Sequence, residues 1–352
     1  MASKKAVLVY ILEILRDETD ANHTLSQEEI RSILAKKYEL TVDRKTLGRH
    51  LNDLYESGNF NIECEESALG TDGSIRRTNF YMIHPFEEAE LHLLIDGLLA
   101  SRHISVNQRK DLIDKVSALG GRYFKSHGKQ IKSTPDSLVR SQDLFLNIDL
   151  IEKAVTEGRK ISLVYYQPST DNKLYPNLDY AGNERNYIFN PYQLVSSRGL
   201  YYLVGNHDNL YYLVGNHDNH DDMSTLRVDR IGNIKLLDIR RKPLREIQGY
   251  HNQNTFDVDR YMKEHIYMFG GESVTVVFEA KRSIVNQILD WFDGNVTFLN
   301  ETPQKVECRV HVNREAFKYW ALQYMQSVKV LSPASLVFDV REAIRDGLSQ
   351  YV

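Results

Sequence analysis

The residues best suited to chemistry lie in a ten-residue block, LYYLVGNHDN, which occurs twice without change at 200–209 and 210–219. Each copy places Gly-Asn-His-Asp directly after an apolar run. Asn, His and Asp side chains can bind divalent metals, and such metals can activate water for hydrolysis. The block therefore raises the hypothesis of a metal-dependent phosphatase.

That hypothesis requires more ligands than the chain supplies. A metallophosphoesterase site also needs an upstream Asp-X-His, a Gly-Asp-X-X-Asp and a later Gly-His-X-His, and the sequence has none of these. We therefore reject the phosphatase, and we favour a polar connection between two strands over a metal-binding loop. The side chains available to such a loop are His207, Asp208, His217, Asp218, His220, Asp221 and Asp222.

Other catalytic patterns are also missing from the sequence. His84, His92 and His103 have no acid or nucleophile at catalytic spacing. There is no Gly-rich phosphate loop, no Cys/His metal spacing and no Ser-based nucleophile elbow. We expect neither an enzyme nor a bound cofactor.

Length and composition are those of an ordinary multidomain protein. A chain of 352 residues is too long for one core and suggests two to four domains. The formal net charge is −4, so any face that binds nucleic acid must be local. Cys64 and Cys308 fit a reduced cytosolic protein. No uninterrupted apolar run reaches the roughly 18 residues of a membrane span, and we expect a cytoplasmic protein without membrane contact.

The first 83 residues predict three helices and a β-hairpin. The helices lie within 5–16, 24–40 and 41–58, and the strands are 60–66 and 74–83 around the turn Asp72-Gly73. Ser26 and Glu29 form a capping box for the second helix, while Asp43 and Gly58 mark the start and end of the third. Three short helices and a hairpin are the layout of a winged helix-turn-helix.

The third helix carries the charge pattern of a DNA-recognition helix. Its basic residues fall mainly outside the stripe of Leu47, Leu51 and Leu54. Recognition helices present such N-terminal residues to base edges and phosphates. We favour DNA contact over a helical subdomain with a solvated basic face. The predicted DNA contacts are Arg44, Lys45, Thr46, Arg49 and His50 on the helix, with Arg76 and Arg77 on the hairpin.

The rest of the chain predicts a helical linker followed by two β-rich parts. Two amphipathic helices, 86–102 and 106–121, precede a polar linker, and the apolar face of the first can pack internally or pair two subunits. A helix at 146–159 then leads into closely spaced strands, which favour a small, strongly curved antiparallel barrel or sheet. These strands are 160–168, 185–197, 199–206 and 223–238. Residues 273–352 have strand, helix, strand, helix and closing-helix signals, typical of a small α+β domain.

With one copy of the block removed, this β-rich stretch resembles the WYL domain. The WYL pattern is a strand ending in Pro, then Gly-X-Trp-Tyr-Leu, a polar turn and an Arg-X-X-Arg-Ile strand. The matching residues are Asn190-Pro191, Gly199, Tyr201-Tyr202-Leu203 and Arg227-Val228-Asp229-Arg230-Ile231. Tyr201 (or Tyr211) replaces the name-giving Trp and keeps its packing role. Because ten is an even number, either copy preserves the alternation of side chains along a strand.

The resemblance implies a multidomain α+β architecture. WYL proteins of bacteria commonly join a winged helix-turn-helix, a WYL domain built as a small Sm-like or SH3-like barrel, and a C-terminal α+β extension called WCX. The expected domains are a winged helix-turn-helix at 1–83, a helical linker or dimerisation region at 84–142, a ligand-sensing WYL domain at 143–242 and a WCX domain at 270–352.

The resemblance also implies a ligand site, because WYL domains are regarded as sensors of nucleic acids or nucleotides. Aromatic rings can stack on bases, and Arg can bind phosphate oxygens. We assign Tyr201 to packing and Tyr202 to the pocket, although the reverse assignment stays open. The candidates for ligand contact are Tyr165, Tyr166, Arg185, Arg198, Tyr202 (or Tyr212), Arg227 and Arg230.

The two Arg residues of the last motif are expected to differ in role. Residues three apart on a strand face opposite ways unless a bulge intervenes. One of them can therefore be a structural partner of Asp229 or Glu184 while the other binds ligand. We favour Arg227 for the ligand.

Our leading hypothesis is a ligand-responsive bacterial transcription regulator, a repressor that binds double-stranded operator DNA as a homodimer. The resemblance includes regulators of phage-defence and stress operons. A competing hypothesis is a module that binds single-stranded nucleic acid, with the winged helix serving protein contacts. A third, the metal-dependent hydrolase, predicts a transition metal in the purified protein.

Overall fold

The computed structural model describes residues 6–69, 74–101, 104–125, 143–208, 222–292 and 294–351. The chain divides into two units, Met1–Asp136 and Ser137–Val352. The multidomain α+β class expected from the sequence is confirmed. The predicted turn Asp72-Gly73 and the linker residues 126–142 lie outside the described residues, as does the whole second copy of the repeat, 210–219.

The first unit begins with three helices and a two-stranded antiparallel hairpin. In chain order these are α1 (Val7–Glu18), α2 (Gln27–Tyr38), α3 (Arg44–Glu56), β1 (Ile62–Leu69) and β2 (Ser74–Met82). All five elements contribute to one apolar core, since the helices bury one stripe each. The buried residues of that core include Ile11, Leu15, Ile30, Leu34, Leu47, Leu51, Ile62 and Phe80.

Local signals start the second and third helices where the sequence predicts. The Ser26 hydroxyl accepts from the Glu29 N–H at 3.3 Å, and the Ser26 N–H donates to the Glu29 carboxylate at 2.8 Å. The Asp43 carboxylate accepts from the Thr46 N–H at 2.9 Å. Each contact satisfies a backbone donor that has no partner inside its helix.

Two further helices, α4 (Glu88–Ala100) and α5 (Val106–Ala118), complete the first unit and contact each other. Helix α4 buries Leu91 and Ile95 but leaves Leu93 73% and Leu94 43% exposed. Part of the predicted apolar face therefore packs internally, and part of it faces outward.

The second unit begins with helix α6 (Leu144–Glu157) and a curved antiparallel sheet. The strands are β3 (Arg159–Pro168), β4 (Leu174–Pro176), β5 (Asn186–Ser197), β6 (Leu200–His207), β7 (Ser224–Arg227) and β8 (Ile231–Arg240). Strand β3 pairs with β4, β5 and β8, so the main order is β8-β3-β5-β6-β7. The two outer strands of that order, β7 and β8, are joined by a single 3-10 turn, Val228–Arg230, and this requires the sheet to curl strongly.

The sequence predicted one strand at 223–238, and that prediction is wrong. The 3-10 turn divides it, because β7 pairs with β6 while β8 pairs with β3. The chain must turn between these two pairings. The first copy of the repeat forms β6, whose register places Leu200 opposite Ser197 and His207 opposite Phe189.

The C-terminal part is a four-stranded antiparallel sheet covered by helices. Helix α7 (Val258–Glu264) precedes it, and its order is β10-β11-β9-β12. Its elements are β9 (Ser273–Lys281), α8 (Val285–Phe292), β10 (Val296–Glu301), β11 (Lys305–Asn313), α9 (Arg314–Gln323), β12 (Val328–Ser332) and α10 (Ala334–Ser349). Its mainly aliphatic core includes an aromatic cluster, in which the Trp320 ring packs edge-on against Phe278 and Phe292 at 5.5 and 4.8 Å.

Candidate nucleic-acid interface

The outward face of α3 carries unpaired positive charge in its first two turns. Arg44, Lys45 and Arg49 are exposed, and none of them forms an ion pair or hydrogen bond with another described residue. Arg44 and Lys45 are the first two residues of α3 and therefore lie at the positive end of the helix dipole, in a first turn that has no acidic residue. Such a placement costs about 0.3–1 kcal/mol per cation. Helix stability alone does not account for these cations.

The two remaining predicted contacts on α3 are less accessible. Thr46 is half-buried and donates its backbone N–H to Asp43, which lowers the pKa of that carboxyl group. His50 is also half-buried, and its Nδ1 atom is fully covered with no hydrogen-bond partner among the described residues. The accessible cations of α3 are therefore Arg44, Lys45 and Arg49.

The two predicted hairpin residues have different surroundings. Arg76 is exposed and makes no ion pair within the described ranges. Arg77 binds Glu56 at 2.7 Å and Glu66 at 2.9 Å, and its guanidinium lies 4.7 Å from the centre of the Tyr55 ring. Hydrogen bonds to the two carboxylates raise the pKa of Arg77. Arg77 thus ties the hairpin to the end of α3, while Arg76 stays free to meet a ligand.

An open groove of about 700 Å³ runs along the outward face of α3 to the start of α2. Polar and charged side chains surround Gly48 at its centre. The lining residues are Gln27, Arg44, Lys45, Gly48, Arg49, Asn52, Asp53 and Glu56. Positive charge lies at the N-terminal end of α3, and negative charge lies at its C-terminal end.

In the second unit, three of the predicted ligand residues meet where β7 ends. The Tyr165 hydroxyl accepts from the Arg227 N–H at 3.2 Å, and Tyr202 pairs in register with Arg227. Burial raises the pKa of Tyr165. Register partners share one face of a sheet. Tyr165, Tyr202 and Arg227 therefore form one local cluster.

The carboxylate of Asp229 holds the Arg227 side chain. Arg227 Nε and Nη2 lie 3.0 and 2.6 Å from the two carboxylate oxygens of Asp229, whose side chain is only 6% exposed. Burial opposes the charge of Arg227, yet the contact with Asp229 raises its pKa overall. Of the two Arg residues, Arg227 is the one with a structural partner. Arg230, half-exposed near Tyr165, has no ion pair in the described part of the chain.

The other predicted ligand residues lie apart from this cluster. Arg185 stacks on the Tyr187 ring at 4.9 Å. Arg198 lies in the β5–β6 turn, 3.6 Å from the centre of the Trp291 ring of α8. The Tyr166 ring packs over Gly232, where an added Cβ would approach it to 2.8 Å. The structure therefore gives these three residues packing contacts.

Each residue of the first Gly-Asn-His-Asp has a structural contact. A Cβ on Gly205 would lie 2.1 Å from the Phe189 ring, so only Gly fits there. Asn206 is fully buried and donates to the Asp222 carbonyl at 3.0 Å. The His207 ring packs edge-on against Phe189 at 4.9 Å, and Asp208 forms an ion pair with Lys160.

The described residues contain neither a candidate metal site nor a helix that could span a membrane. No group of three or more His, Cys, Asp or Glu side chains in the described ranges could hold a metal ion. His217, Asp218, His220 and Asp221 lie outside these ranges. No described helix is long and apolar enough to cross a membrane.

A cavity of about 980 Å³ lies beside α7, between the β6–β7 end of the curved sheet and the C-terminal sheet. Its lining includes the carboxylates Asp222, Asp257, Glu264, Glu272 and Glu315. Arg260, the one Arg among the described lining residues, binds Glu264 at 2.6 Å. Because carboxylates repel phosphates, this cavity does not suit a nucleotide.

Residues 147–236 match the family model of the WYL domain. The chain contains a WYL domain. The match begins at Asn147 of α6, which donates to the Ile231 carbonyl at 2.8 Å, and ends within β8. The cluster of Tyr165, Tyr202 and Arg227 therefore lies inside the WYL domain, and so does the first copy of the repeat.

Two solved structures align with nearly the whole chain at low identity. Proteasome accessory factor B/C (PafBC) of Arthrobacter aurescens is 16% identical, with a TM-score of 0.26; the alignment covers 99% of this chain and 49% of that one. A CRISPR Cas-related protein is 14% identical, with a TM-score of 0.33 and coverage of 99% and 84%. The chain thus spans about half the length of the PafBC chain. No curated protein matches the sequence.

Proposed function

We propose that the chain is a transcription regulator whose residues 1–83 bind duplex DNA as a winged helix-turn-helix, with α3 as the recognition helix. The observation that carries the proposal is the unpaired positive charge of Arg44, Lys45 and Arg49 on the outward face of α3. Arg44 and Lys45 lie at the N-terminal end of α3, where the helix dipole disfavours cations, and DNA phosphates would offset that cost.

The hairpin supplies a second contact in this proposal. Arg76 would bind a phosphate beside the recognition helix, as wings commonly do, whereas Arg77 would hold the hairpin in place through Glu56 and Glu66. Thr46 and His50 would line the edge of the contact. A monomer reads few base pairs, so the regulator would act as a homodimer on two half-sites, most simply as a repressor.

The WYL domain would sense a nucleic-acid or nucleotide effector. Arg230 is better placed than Arg227 to bind an effector phosphate, because Asp229 already holds Arg227. Tyr165 and Tyr202 would supply aromatic surface next to it. A coupling of roughly 1–3 kcal/mol between effector and DNA would suffice for regulation. The resemblance to WYL regulators extends the proposal to a phage-defence or stress operon.

The test is binding of the purified protein to fragments of its own upstream region over a series of salt concentrations. We expect tight, sequence-selective binding that weakens steeply with salt, since each neutralised phosphate releases counterions. Arg49→Ala should lower the selective affinity about tenfold or more. Lys36→Ala is the matched control, because Lys36 is an exposed cation on α2 outside the groove.

Two outcomes would contradict the proposal. Equal losses in Arg49→Ala and Lys36→Ala would assign the binding to net charge rather than to α3. Weak duplex binding beside tight, Arg230-dependent binding of single strands would favour the competing hypothesis of a single-strand-binding module, for which aromatic stacking in the WYL domain supplies the surface.

A further inference from the structure

Two side-chain amides flank Gly48 in the groove of α3. Gln27 is the first residue of α2, and Asn52 lies one helical turn after Gly48. Both are half-exposed, and neither amide hydrogen bonds to another described residue. Each amide therefore presents a free donor and a free acceptor to whatever occupies the groove.

Gly48 and Asn52 are poor choices for helix stability, which indicates that they serve another purpose. Gly is among the poorest residues for a helix interior, and Asn is also a weak helix former. A Cβ at position 48 would lie 3.4 Å from the Gln27 amide and would narrow the groove. Gly48 thus keeps the groove floor open beside the two amides.

The cations that would bind phosphates lie in the first half of α3, whereas Asn52 lies closer to the carboxylates in its second half. Arg49 and Asn52 are three residues apart and share one face of the helix. Beyond Asn52 the groove is lined by Asp53, whose carboxylate repels phosphates, and by Glu56, whose carboxylate is paired with Arg77. A duplex held by Arg44, Lys45 and Arg49 would therefore bring base edges, and not the backbone, to Gln27 and Asn52.

We propose that Gln27 and Asn52 read base edges in the major groove, with adenine as the preferred base. A carboxamide can donate to adenine N7 and accept from adenine N6 in a bidentate pair, which no other base offers in the same arrangement. The inference rests on the proposed function, since it assumes that α3 enters duplex DNA.

The experiment is selection of bound duplexes from a random-sequence library by full-length wild type, Gln27→Ala and Asn52→Ala. Asn59→Ala is the matched control, because Asn59 is an exposed amide of the same unit outside the groove. Unfolding midpoints of all four proteins establish that they are folded. We expect each groove variant to lose about 5- to 150-fold of its discrimination for adenine at one position. Its salt dependence should match that of wild type, because no phosphate contact is removed.

The Gly48→Ala variant tests whether Gly48 serves DNA binding or the stability of α3. Ala is a better helix former, so the unfolding midpoint should stay the same or rise. Selective binding should nevertheless fall, because the new methyl group narrows the groove.

The outcomes distinguish this inference from the proposed function. Selective duplex binding by wild type, with unchanged base preferences in both Gln27→Ala and Asn52→Ala, overturns this inference alone. Failure of wild type to select any duplex overturns the proposed function and this inference with it.

Discussion

At the scale of single residues, adjacent cations on the hairpin have different roles. The sequence does not distinguish Arg76 from Arg77, because the carboxylates that bind Arg77 come from Glu56 and Glu66, far along the chain. Only the pairing of β1 with β2, and the end of α3 beside them, brings these groups together. Local patterns cannot report such long-range ion pairs.

Alanine substitutions should distinguish the roles of Arg76 and Arg77. Arg77→Ala should lower the free energy of unfolding by about 1 kcal/mol, since it removes two partly exposed ion pairs and a ring contact. Arg76→Ala should leave that free energy unchanged and weaken duplex binding. Urea unfolding and DNA titration of both variants measure these effects. A stability loss for Arg76→Ala equal to that for Arg77→Ala would contradict the assignment.

At the scale of elements, the sequence predicted the helices and strands that are marked by local patterns, such as helix caps and apolar alternation. Helices α2 and α3 start at the predicted caps, and β3, β5 and β6 match their predicted ranges closely. The sequence missed β4, β10 and β12. Strands β10 and β12 are the edges of their sheet, and β4 is three residues long. An edge strand has one partner and an exposed side, so its apolar pattern is weak.

Strand β6 leads to a prediction about the repeat. Deleting 210–219 should leave a folded protein with unchanged duplex binding, because the first copy supplies every described contact of β6. Circular dichroism, unfolding midpoints and DNA titration of the shortened chain measure this. Loss of folding would show that the insertion is structural.

Gly205→Val in the shortened chain is the companion variant. Its side chain would overlap the Phe189 ring, so it should destabilise the protein by several kcal/mol. A stable Gly205→Val variant would mean that β6 does not pack as described.

At the scale of the whole molecule, sequence reasoning identified the WYL domain correctly but could not reveal surfaces formed between distant segments. The acidic cavity beside α7 combines side chains from 207 to 315, and no short motif contains them. The groove amides Gln27 and Asn52 were missed for the same reason, since they belong to different helices.

His265 makes the stability of the whole protein depend on pH. It is 4% exposed, stacks on Tyr261 at 3.8 Å, and burial lowers its pKa. In the unfolded chain a His takes up a proton below about pH 6.5, whereas the folded protein resists protonation until a lower pH. The part of the stability that depends on neutral His265 is therefore complete above about pH 6.5 and is lost as the pH falls from there through the lower pKa of the folded state.

We expect a lower urea midpoint at pH 5.5 than at pH 7.5, with part of the difference removed in His265→Gln. His251→Gln serves as the control, because His251 is exposed. An unchanged pH dependence in His265→Gln would show that other groups cause the effect.

The repeat also has a consequence for heredity. Its first copy, residues 200–209, contains all of strand β6, and the unit has an even number of residues. A gene that gains or loses this unit in one recombination step keeps the same side chains facing the core. A gain or loss of an odd number of residues would instead turn the core side chains of the strand outward. Lineages that differ by one copy should therefore encode equally viable proteins.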